Sequence, residues 1–344
     1  MNNGWQSTRR RNDPCSHLAQ SLCFHKANKG VIVAEKLNER LGQILVPLVT
    51  PFNENGDVNF DLAGRLASSL VERQFCDSII VTGTTGEFNT LIFEERVELF
   101  KTVKAAVNGR VPLIAGSGCA STRETIKLTR VAAELGFDCA MVVAPYYCRP
   151  TQQGIYQHYK AIAEAVDHLP IMLYNIPIFT AVNIDTDTVV RLANVKNIRG
   201  IKDEAGMNPL QTTDYILATP DDFVVYNGDD IMVLATLVQG AVGVVSGGSH
   251  LIGDRMRLMI DKFLGGDLLG AREIHQQLHP LWRAFCPNGR VNPMPLVRAA
   301  LELAGWPVGP ARLPLDAATD DERAAMKKVL AKLGWVQSTR GDKP

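Results

Sequence analysis

Short apolar runs alternate with longer amphipathic stretches along most of the chain. From Gln43 onward there are eight runs of five to seven residues, each followed by a stretch with helical periodicity. Continuous apolar runs of this length are typical of strands in a parallel sheet that is covered by helices. The runs lie at residues 44–50, 78–82, 111–115, 139–144, 171–175, 198–202, 223–227 and 242–246.

Eight strand–helix units in just over 200 residues predict an α/β fold, a (β/α)8 TIM barrel over residues 43–255. A doubly wound open sheet is the alternative, but no GxGxxG turn follows the first strand. After residue 255 the periodicity becomes purely helical. We expect residues 256–335 to form additional C-terminal helices that pack on the barrel wall or against another subunit, without an active site of their own.

The first 40 residues lack a clear periodicity and stay outside the fold prediction. Residues 1–34 carry five basic side chains, three of them in the run 9–11, against the single acid Asp13. An acid-poor leader of this kind is compatible with an organelle-targeting peptide. A disordered N-terminal extension, or a start site placed too far upstream, explains the same composition.

Charge, hydropathy and cysteine content exclude several classes of protein. Lys+Arg and Asp+Glu both number 36, so no net charge favours nucleic acid or an anionic membrane as a partner. No apolar stretch approaches the roughly 18–20 residues of a membrane span. The seven cysteines show no CxxC or paired spacing, which argues against disulfides and a zinc site. We expect a reducing, cytoplasmic location.

The histidines are poorly placed for a metal site. Six of the seven lie in predicted helices or in the N-terminal segment, and only His250 closely follows a predicted strand. Metal-dependent aldol chemistry needs histidines and carboxylates that converge at strand ends. We therefore expect no metal and no other cofactor.

Lys202 ends the sixth apolar run, where a charged side chain is unusual. Strand alternation puts it on one face with Ile198 and Gly200, and puts Arg199 and Ile201 on the other. In a closed barrel the amine would point inward at the carboxyl end of the strand. A desolvated lysine there can lose its proton and form a Schiff base with a carbonyl compound. The alternative is a surface lysine in a loop flanked by Asp and Glu.

Two further strand ends carry groups that imine chemistry can use. Tyr174 ends the fifth strand, and alternation directs its phenol toward Lys202, where proton transfer at the imine carbon is needed. Thr84 and Thr85 follow the second strand between glycines, where hydroxyls and successive backbone N–H groups suit a carboxylate. The alternative for this loop is an ordinary turn with a capping hydroxyl.

Adjacent tyrosines follow the fourth strand. Tyr146 and Tyr147 lie between Pro145 and Pro150, which stiffen the backbone on both sides. Two neighbouring aromatic side chains usually face different environments, so we expect one to be packed and the other to reach an active site. An exposed rim or a subunit contact is the alternative.

Four segments in this order resemble the dihydrodipicolinate synthase/N-acetylneuraminate lyase family. They are Gly83-Thr84-Thr85-Gly86-Glu87, Pro145-Tyr146-Tyr147-Cys148-Arg149-Pro150, Tyr174-Asn175-Ile176-Pro177 and Gly200-Ile201-Lys202-Asp203. The resemblance covers roughly residues 43–335. It implies a class I aldolase or lyase that acts on pyruvate or another 2-oxo acid and an aldehyde, usually as a homotetramer built as a dimer of dimers.

The resemblance also implies catalytic roles for four residues. Lys202 would form the imine with the 2-oxo acid, and Tyr174 would shuttle protons at the imine and at the new bond. Thr84 would relay protons and help to hold the carboxylate of the 2-oxo acid. Tyr147 would complete the relay from a neighbouring subunit.

Five further residues would contact substrate on the same resemblance. Thr85 would hold the 2-oxo acid carboxylate, Gly228 would lie at the lip of the pocket, and Arg149 belongs to the tyrosine loop. Phe179 occupies the place of the arginine that grips the aldehyde carboxylate in the synthase. Asp230 matches the first of two acidic residues that bind sugar hydroxyls in the sialate lyases.

The departures at these positions lead to an expectation about the aldehyde. An aromatic ring in place of a cationic clamp removes the main reason to prefer aspartate semialdehyde, so Phe179 predicts a different, unassigned aldehyde. Ile231 replaces the second acidic residue of the sialate lyases, which weakens that assignment as well. Two alternatives remain: a dehydratase or deaminase that uses the same imine, and a non-catalytic 2-oxo acid binding homologue.

Overall fold

Eight parallel strands form a closed barrel in the computed structural model, which describes residue 1, residues 35–206 and residues 208–336. Consecutive strands pair with each other, and β1 also pairs with β8, which closes the sheet. The predicted (β/α)8 barrel with C-terminal helices is confirmed. The strands are β1 (Ile44–Pro47), β2 (Ser78–Val81), β3 (Leu113–Gly116), β4 (Cys139–Val143), β5 (Ile171–Asn175), β6 (Ile198–Asp203), β7 (Val224–Asn227) and β8 (Gly243–Val245).

Helices alternate with the strands and continue beyond β8. Their apolar stripes explain why they form here: in α2, Leu62, Leu66 and Leu70 are spaced by four residues and buried, and the Asn59 side chain caps the first turn. The helices are α1 (Leu37–Leu41), α2 (Phe60–Glu72), α3 (Phe93–Val107), α4 (Thr122–Glu134), α5 (Gln152–Ala165), α6 (Pro177–Thr180), α7 (Thr186–Ala193), α8 (Leu210–Ala218), α9 (Val233–Gln239), α10 (Ser249–Leu264), α11 (Leu268–Phe285), α12 (Met294–Leu303) and α13 (Asp320–Lys332).

Alternation along the strands separates an inner and an outer apolar layer. Leu45, Ile80 and Met172 belong to the cluster inside the barrel. Their neighbours in sequence, such as Val46 and Leu173, pack instead with the surrounding helices. This two-sided burial is the physical reason that the strand sequences are continuously apolar.

The alternation fails at the start of β6. The sequence places Ile198 on the inner face with Lys202, but Ile198 packs with Ile201 in the outer cluster. The pairing of β5 with β6 shifts by one residue between Ile171 and Met172, so the inner face is regular only from Gly200 onward. The expected inward position of Ile198 is therefore wrong.

A short helix precedes β1 at the amino-terminal end of the barrel. Leu37 and Leu41 of α1 are buried in the inner cluster, and the carbonyl of Gly42 accepts a hydrogen bond from Tyr226 Oη at 2.7 Å. Residues 35–41 are thus part of the described fold. Residues 2–34, which make up most of the predicted leader or disordered extension 1–40, lie outside the described residues.

The C-terminal helices pack on the side of the barrel that contains β1. One apolar cluster joins Ile44 of β1 to Met256 of α10, Leu278 of α11, Leu301 of α12 and Leu330 of α13. These helices therefore extend the hydrophobic core. Among the helices that the structure describes, none is both long enough and apolar enough to cross a membrane.

Candidate active site

Lys202 lies at the carboxyl end of β6 with its side chain inside the barrel. The residue is 5 % exposed, and its partners across the sheet are Tyr174 on β5 and Tyr226 on β7. Lys202 Nζ lies 3.9 Å from the centroid of the Tyr174 ring. TIM barrels place their catalytic groups at this end of the strands. The surface position that the local sequence left open is excluded.

The Tyr174 phenol connects Lys202 with the loop after β2. Its hydroxyl lies 3.3 Å from Thr84 Oγ1, and the side chain is buried. Burial, and then the nearby carboxylate of Glu204, raise the pKa of Tyr174 well above its ordinary value. The phenol therefore keeps its proton at neutral pH and is available as a proton donor.

Glu204 is a site residue that the sequence interpretation missed. Its Oε2 forms an ion pair with Lys202 Nζ at 2.9 Å and accepts a hydrogen bond from Tyr174 Oη at 3.0 Å. The signal was present, because strand alternation continued past β6 puts residue 204 on the same face as residue 202. Asp203, between them, turns the other way and accepts a hydrogen bond from Asn175 Nδ2 at 2.9 Å.

Gly228 follows β7 at the point where Lys202 and Glu204 come together. A Cβ atom at this position would lie 2.6 Å from Lys202 Cε and 2.7 Å from Glu204 Cβ. Both distances are far below ordinary carbon–carbon contact. Gly228 is therefore required by close approach, and it lies at the wall of the cavity.

The loop after β2 presents its two threonines to the cavity. Thr84 and Thr85 lie in one 3₁₀ turn, Thr84–Gly86, and both line the cavity. Thr82 and Glu87, on either side, adopt the left-handed conformation with φ of +56° and +53°. Thr82 Oγ1 donates to the carbonyl of Gly116 at 2.7 Å, which fixes the start of the turn. The two threonine hydroxyls are therefore held at the cavity by a turn whose start is fixed.

A buried ion pair joins this loop to the C-terminal helices. Arg298 of α12 donates from Nε to Glu87 Oε1 at 2.5 Å, and both side chains are almost completely buried. The same guanidinium also donates to the carbonyl of Thr50 at 2.6 Å. Burial lowers the pKa of Arg298, and Glu87 opposes this effect. The loop that carries the threonines is thus held by a residue 211 positions away.

The C-terminal helices also complete the wall of the cavity. The cavity has a volume of about 380 Å³ and contains Lys202, Tyr174, Thr84 and Thr85 in its lining. Its outer wall is formed by the end of α11, the following turn and the start of α12, with Trp282, Arg283, Phe285, Cys286, Arg290 and Met294. The sequence assigned only a packing role to these helices, because nothing local shows which of their residues face the barrel mouth.

Two aspartates after β7 lie at the same cavity. Burial, and then the charge of Glu204, raise the pKa of Asp229 to about 6. Burial raises the pKa of Asp230 to about 7, and the backbone N–H of Gly248, 2.7 Å from Oδ2, partly opposes this. Asp230 thus ties the turn after β7 to the turn after β8, whereas the resemblance had it bind substrate hydroxyls.

The loop after β4 does not bring Tyr147 or Arg149 into the cavity of the described chain. Tyr146 packs edge-on against Phe88, with the ring centroids 5.9 Å apart. Tyr147 is 93 % exposed, and both Tyr147 and Arg149 have a left-handed φ. Tyr146 is therefore packed, and Tyr147 projects from the surface after β4, at the carboxyl end of the barrel.

Known proteins of this fold are similar to the chain along most of its length. Residues 40–333 match the dihydrodipicolinate synthetase family. The 4-hydroxy-tetrahydrodipicolinate synthase of Acaryochloris marina is 46 % identical over 295 residues, which is 86 % of this chain and 99 % of the relative. The dihydrodipicolinate synthase of Cyanidioschyzon merolae, solved with lysine bound, is 42 % identical, covers 86 % of this chain and 99 % of its own, and has a TM-score of 0.82. The Acinetobacter baumannii enzyme, solved with pyruvate, is 37 % identical, covers 86 % of this chain and 99 % of its own, and has a TM-score of 0.79.

One expectation from the sequence is wrong. Phe179 predicts an aldehyde other than aspartate semialdehyde, but relatives at about 45 % identity are 4-hydroxy-tetrahydrodipicolinate synthases, which use pyruvate and aspartate semialdehyde. The same finding removes support from the dehydratase and non-catalytic alternatives. The physical reason is that the prediction of the aldehyde rests on Phe179 alone. The cavity is lined by many other residues, including Arg283 and Arg290 on its outer wall.

The lyase chemistry implied by the resemblance is confirmed, with a class I Schiff-base mechanism. The closed barrel, the lysine at the end of β6 and the match over residues 40–333 agree with one another. The chain belongs to the dihydrodipicolinate synthetase family.

Proposed function

We propose that this chain is a 4-hydroxy-tetrahydrodipicolinate synthase that condenses pyruvate with aspartate semialdehyde. Relatives with that name cover 85–86 % of the chain at 44–46 % identity. The observation that carries the proposal is the line of Lys202, Tyr174 and Thr84 at the carboxyl end of the barrel. These groups supply the nucleophile, the proton donor and the anchor that such a condensation needs.

Lys202 is the nucleophile in this proposal. Its amine attacks C2 of pyruvate, and loss of water from the carbinolamine leaves the imine. The hydroxyls of Thr84 and Thr85, with the backbone N–H groups of their turn, hold the pyruvate carboxylate. The low exposure of Lys202, 5 %, keeps bulk water away from the imine and favours its persistence.

Tyr174 moves protons at the reacting carbon. Its hydroxyl lies between Thr84 Oγ1 and the carboxylate of Glu204. The carboxylate can accept a proton from the phenol, and the threonine hydroxyl can relay one. Removal of a proton from the methyl group of the imine produces an enamine, whose carbon then attacks the aldehyde. Protonation of the resulting alkoxide completes the carbon–carbon bond. The amino group of the aspartate semialdehyde part then attacks C2, the ring closes, and the amine of Lys202 leaves.

Arg283 of α11 is the residue that we assign to the carboxylate of aspartate semialdehyde. The ring of Phe179 cannot supply this charge, but Arg283 lines the same cavity and is exposed. Arg290 also lines it, but its guanidinium is bound to Glu322 at 2.6 Å and to Asp316 at 3.0 Å. Among the described residues Arg283 forms no such ion pair, so its charge is available to a substrate.

The working unit in this proposal is a cytoplasmic homotetramer in which Tyr147 enters the site of a neighbouring subunit. A tyrosine that is 93 % exposed at the barrel mouth is consistent with such a contact. Its phenol would extend the hydrogen-bonded pair of Thr84 and Tyr174. Sedimentation analysis, with the activity of Tyr147→Phe, tests this part separately, because a fully active monomer would exclude it.

The function is tested with the purified chain, pyruvate and aspartate semialdehyde. We expect cyclised product with the wild type and none with Lys202→Ala, while Lys196→Ala, which changes an exposed lysine, stays active. Borohydride with pyruvate alone should leave a mass adduct on Lys202. An adduct without product would overturn the assigned aldehyde, and no adduct would overturn the imine.

A further inference from the structure

Glu204 contacts the Lys202 amine as well as the Tyr174 phenol, and the proposed condensation gives the contact with the amine no role. One oxygen of its carboxylate, Oε2, forms an ion pair with Lys202 Nζ and accepts a hydrogen bond from Tyr174 Oη. Within the described ranges it is the single carboxylate within 4 Å of that amine. The Glu204 side chain is 25 % exposed, so it touches the reacting nitrogen on one side and the cavity on the other.

We propose that Glu204 is the base that takes the proton from the Lys202 ammonium and returns it when the carbinolamine loses water. An ammonium has no lone pair and cannot attack a carbonyl, so the resting ion pair has to transfer a proton before bond formation. A heavy-atom distance of 2.9 Å is within the range for direct transfer. This role depends on the imine of the proposed function and is independent of the aldehyde that follows.

The proton and the atoms balance over the step. Proton transfer converts ammonium and carboxylate into amine and carboxylic acid. The amine forms the bond to C2 of pyruvate, and its remaining extra proton passes to the former carbonyl oxygen. The carboxylic acid of Glu204 then protonates that hydroxyl, the C–O bond breaks, and water leaves. The products are the iminium and the Glu204 carboxylate, again an ion pair.

Tyr174 is less suited to this task than Glu204. Burial and the adjacent carboxylate raise the pKa of Tyr174 well above its ordinary value, so a phenolate is not formed at neutral pH. The phenol also donates its proton to a hydrogen bond with Glu204, so the Tyr174 oxygen can accept a hydrogen bond from Thr84 Oγ1. Tyr174 can act later, at the methyl carbon, because Glu204 is then again a carboxylate and can take the phenol proton as the phenol oxygen takes the methyl proton.

The backbone holds Glu204 in this place. Its N–H donates to the carbonyl of Asn175 at 2.9 Å, and Gly228 leaves the space into which the side chain folds. A Cβ atom at Gly228 would lie 2.9 Å from Glu204 Oε2, so only glycine permits the contact with Lys202. The carboxylate is therefore built into the site.

Other titratable groups around the cavity set the electrostatic background. Lys202 and Tyr174 face Glu204 from β6 and β5. Asp229 and Asp230, in the turn after β7, add negative potential. Arg283 lies near the end of α11, and the thiol of Cys286 and the guanidinium of Arg290 lie in the segment that follows it. Burial, and then the charges of Asp229 and Glu204, raise the pKa of Cys286, so that thiol stays neutral. None of these groups replaces Glu204 at the amine in the described chain.

The test measures imine formation with pyruvate alone, by rapid quenching into borohydride and mass spectrometry. In Glu204→Gln we expect the rate near pH 7 to fall on the order of 10²–10⁴-fold, the range for loss of an acid–base group. The loss should shrink as pH rises, because hydroxide then deprotonates the lysine. Glu164→Gln, which removes an exposed partner of Lys160, is the matched control and should keep the wild-type rate.

A second variant separates proton transfer from positioning. Glu204→Ala should regain part of its rate when acetate is added, since a small carboxylate can enter the vacated space. A uniform loss at every pH without rescue by acetate would overturn the role of Glu204 as a base. A wild-type rate in Glu204→Gln would overturn it as well. Absence of an adduct in the wild type would instead overturn the imine itself.

Discussion

Substitution of Gly228 by alanine tests whether the placement of Lys202 controls the reaction. The added methyl carbon would lie 2.6 Å from Lys202 Cε, whereas carbon atoms pack best at about 3.5–4.0 Å. Glu204 Cβ, at 2.7 Å, blocks relaxation on the other side, so the lysine has to move by about 1 Å. A displacement of about 1 Å costs on the order of 10²-fold in rate, or about 2.7 kcal/mol of activation free energy.

The assay is the rate of borohydride-trapped adduct with pyruvate alone, measured beside the steady-state rate with both substrates. Gly247→Ala is the matched control, because its methyl group enters the same cavity and meets only Thr85 Oγ1, at 3.8 Å. That variant should form the adduct at close to the wild-type rate. Thermal unfolding of both variants shows whether the fold is kept.

The reasoning would be refuted by a folded Gly228→Ala protein that forms the adduct at the wild-type rate. Such a result would mean that the chain after β7 gives way easily and that the close approach has no catalytic consequence. A loss of equal size in the Gly247 variant would also contradict it, because any methyl group in the cavity would then interfere.

Three further predictions concern the supports of the site. Arg298→Met should lower the free energy of unfolding by about 3–5 kcal/mol in urea titration, because it leaves the buried Glu87 carboxylate without its cation; an effect below 1 kcal/mol would contradict this. Asp230→Asn should be more stable than the wild type by on the order of 2 kcal/mol above about pH 7 and equal to it near pH 4. The sign follows because burial raises the pKa of Asp230 from 3.8 to about 7. The carboxyl group therefore contributes its full stability at a pH below its pKa in the unfolded chain, and this contribution is lost as the pH rises through its pKa in the folded protein. Unfolding curves for Asp61→Asn, at an exposed site, provide the control and should match the wild type at both pH values. Arg283→Ala should raise KM for aspartate semialdehyde about tenfold or more and leave KM for pyruvate unchanged, because the variant loses a charged hydrogen bond to the aldehyde substrate. Equal changes in both KM values would count against the assignment of Arg283.

The features that the sequence predicts correctly are those with a short-range signal. Eight apolar runs at regular spacing predict the barrel, and period-two alternation directs Lys202 and Tyr174 to its interior. The same alternation places Glu204, two residues beyond the lysine, on the inner face, but the predicted strand ends at residue 202. Extension of the strand period by two residues past a predicted strand end would include such a residue.

The features that could not be predicted depend on register or on long-range packing. The shift between β5 and β6 moves Ile198 to the outer face, and no local pattern marks it. Arg298 and Glu87 are 211 residues apart, so their pairing has no sequence signal. The wrong prediction of the aldehyde has the same origin, because it considers Phe179 alone and not the cavity wall that α11 and α12 form.

The ion pair between Arg298 and Glu87 has a consequence for how the protein is made. Residues 43–255 contain all eight strands and the whole catalytic line, and they leave the ribosome before α12 does. Until Arg298 arrives, the Glu87 carboxylate must stay hydrated, because an unpaired charge cannot remain buried. The loop with Thr84 and Thr85 therefore cannot reach its final buried form until α12 has been synthesised.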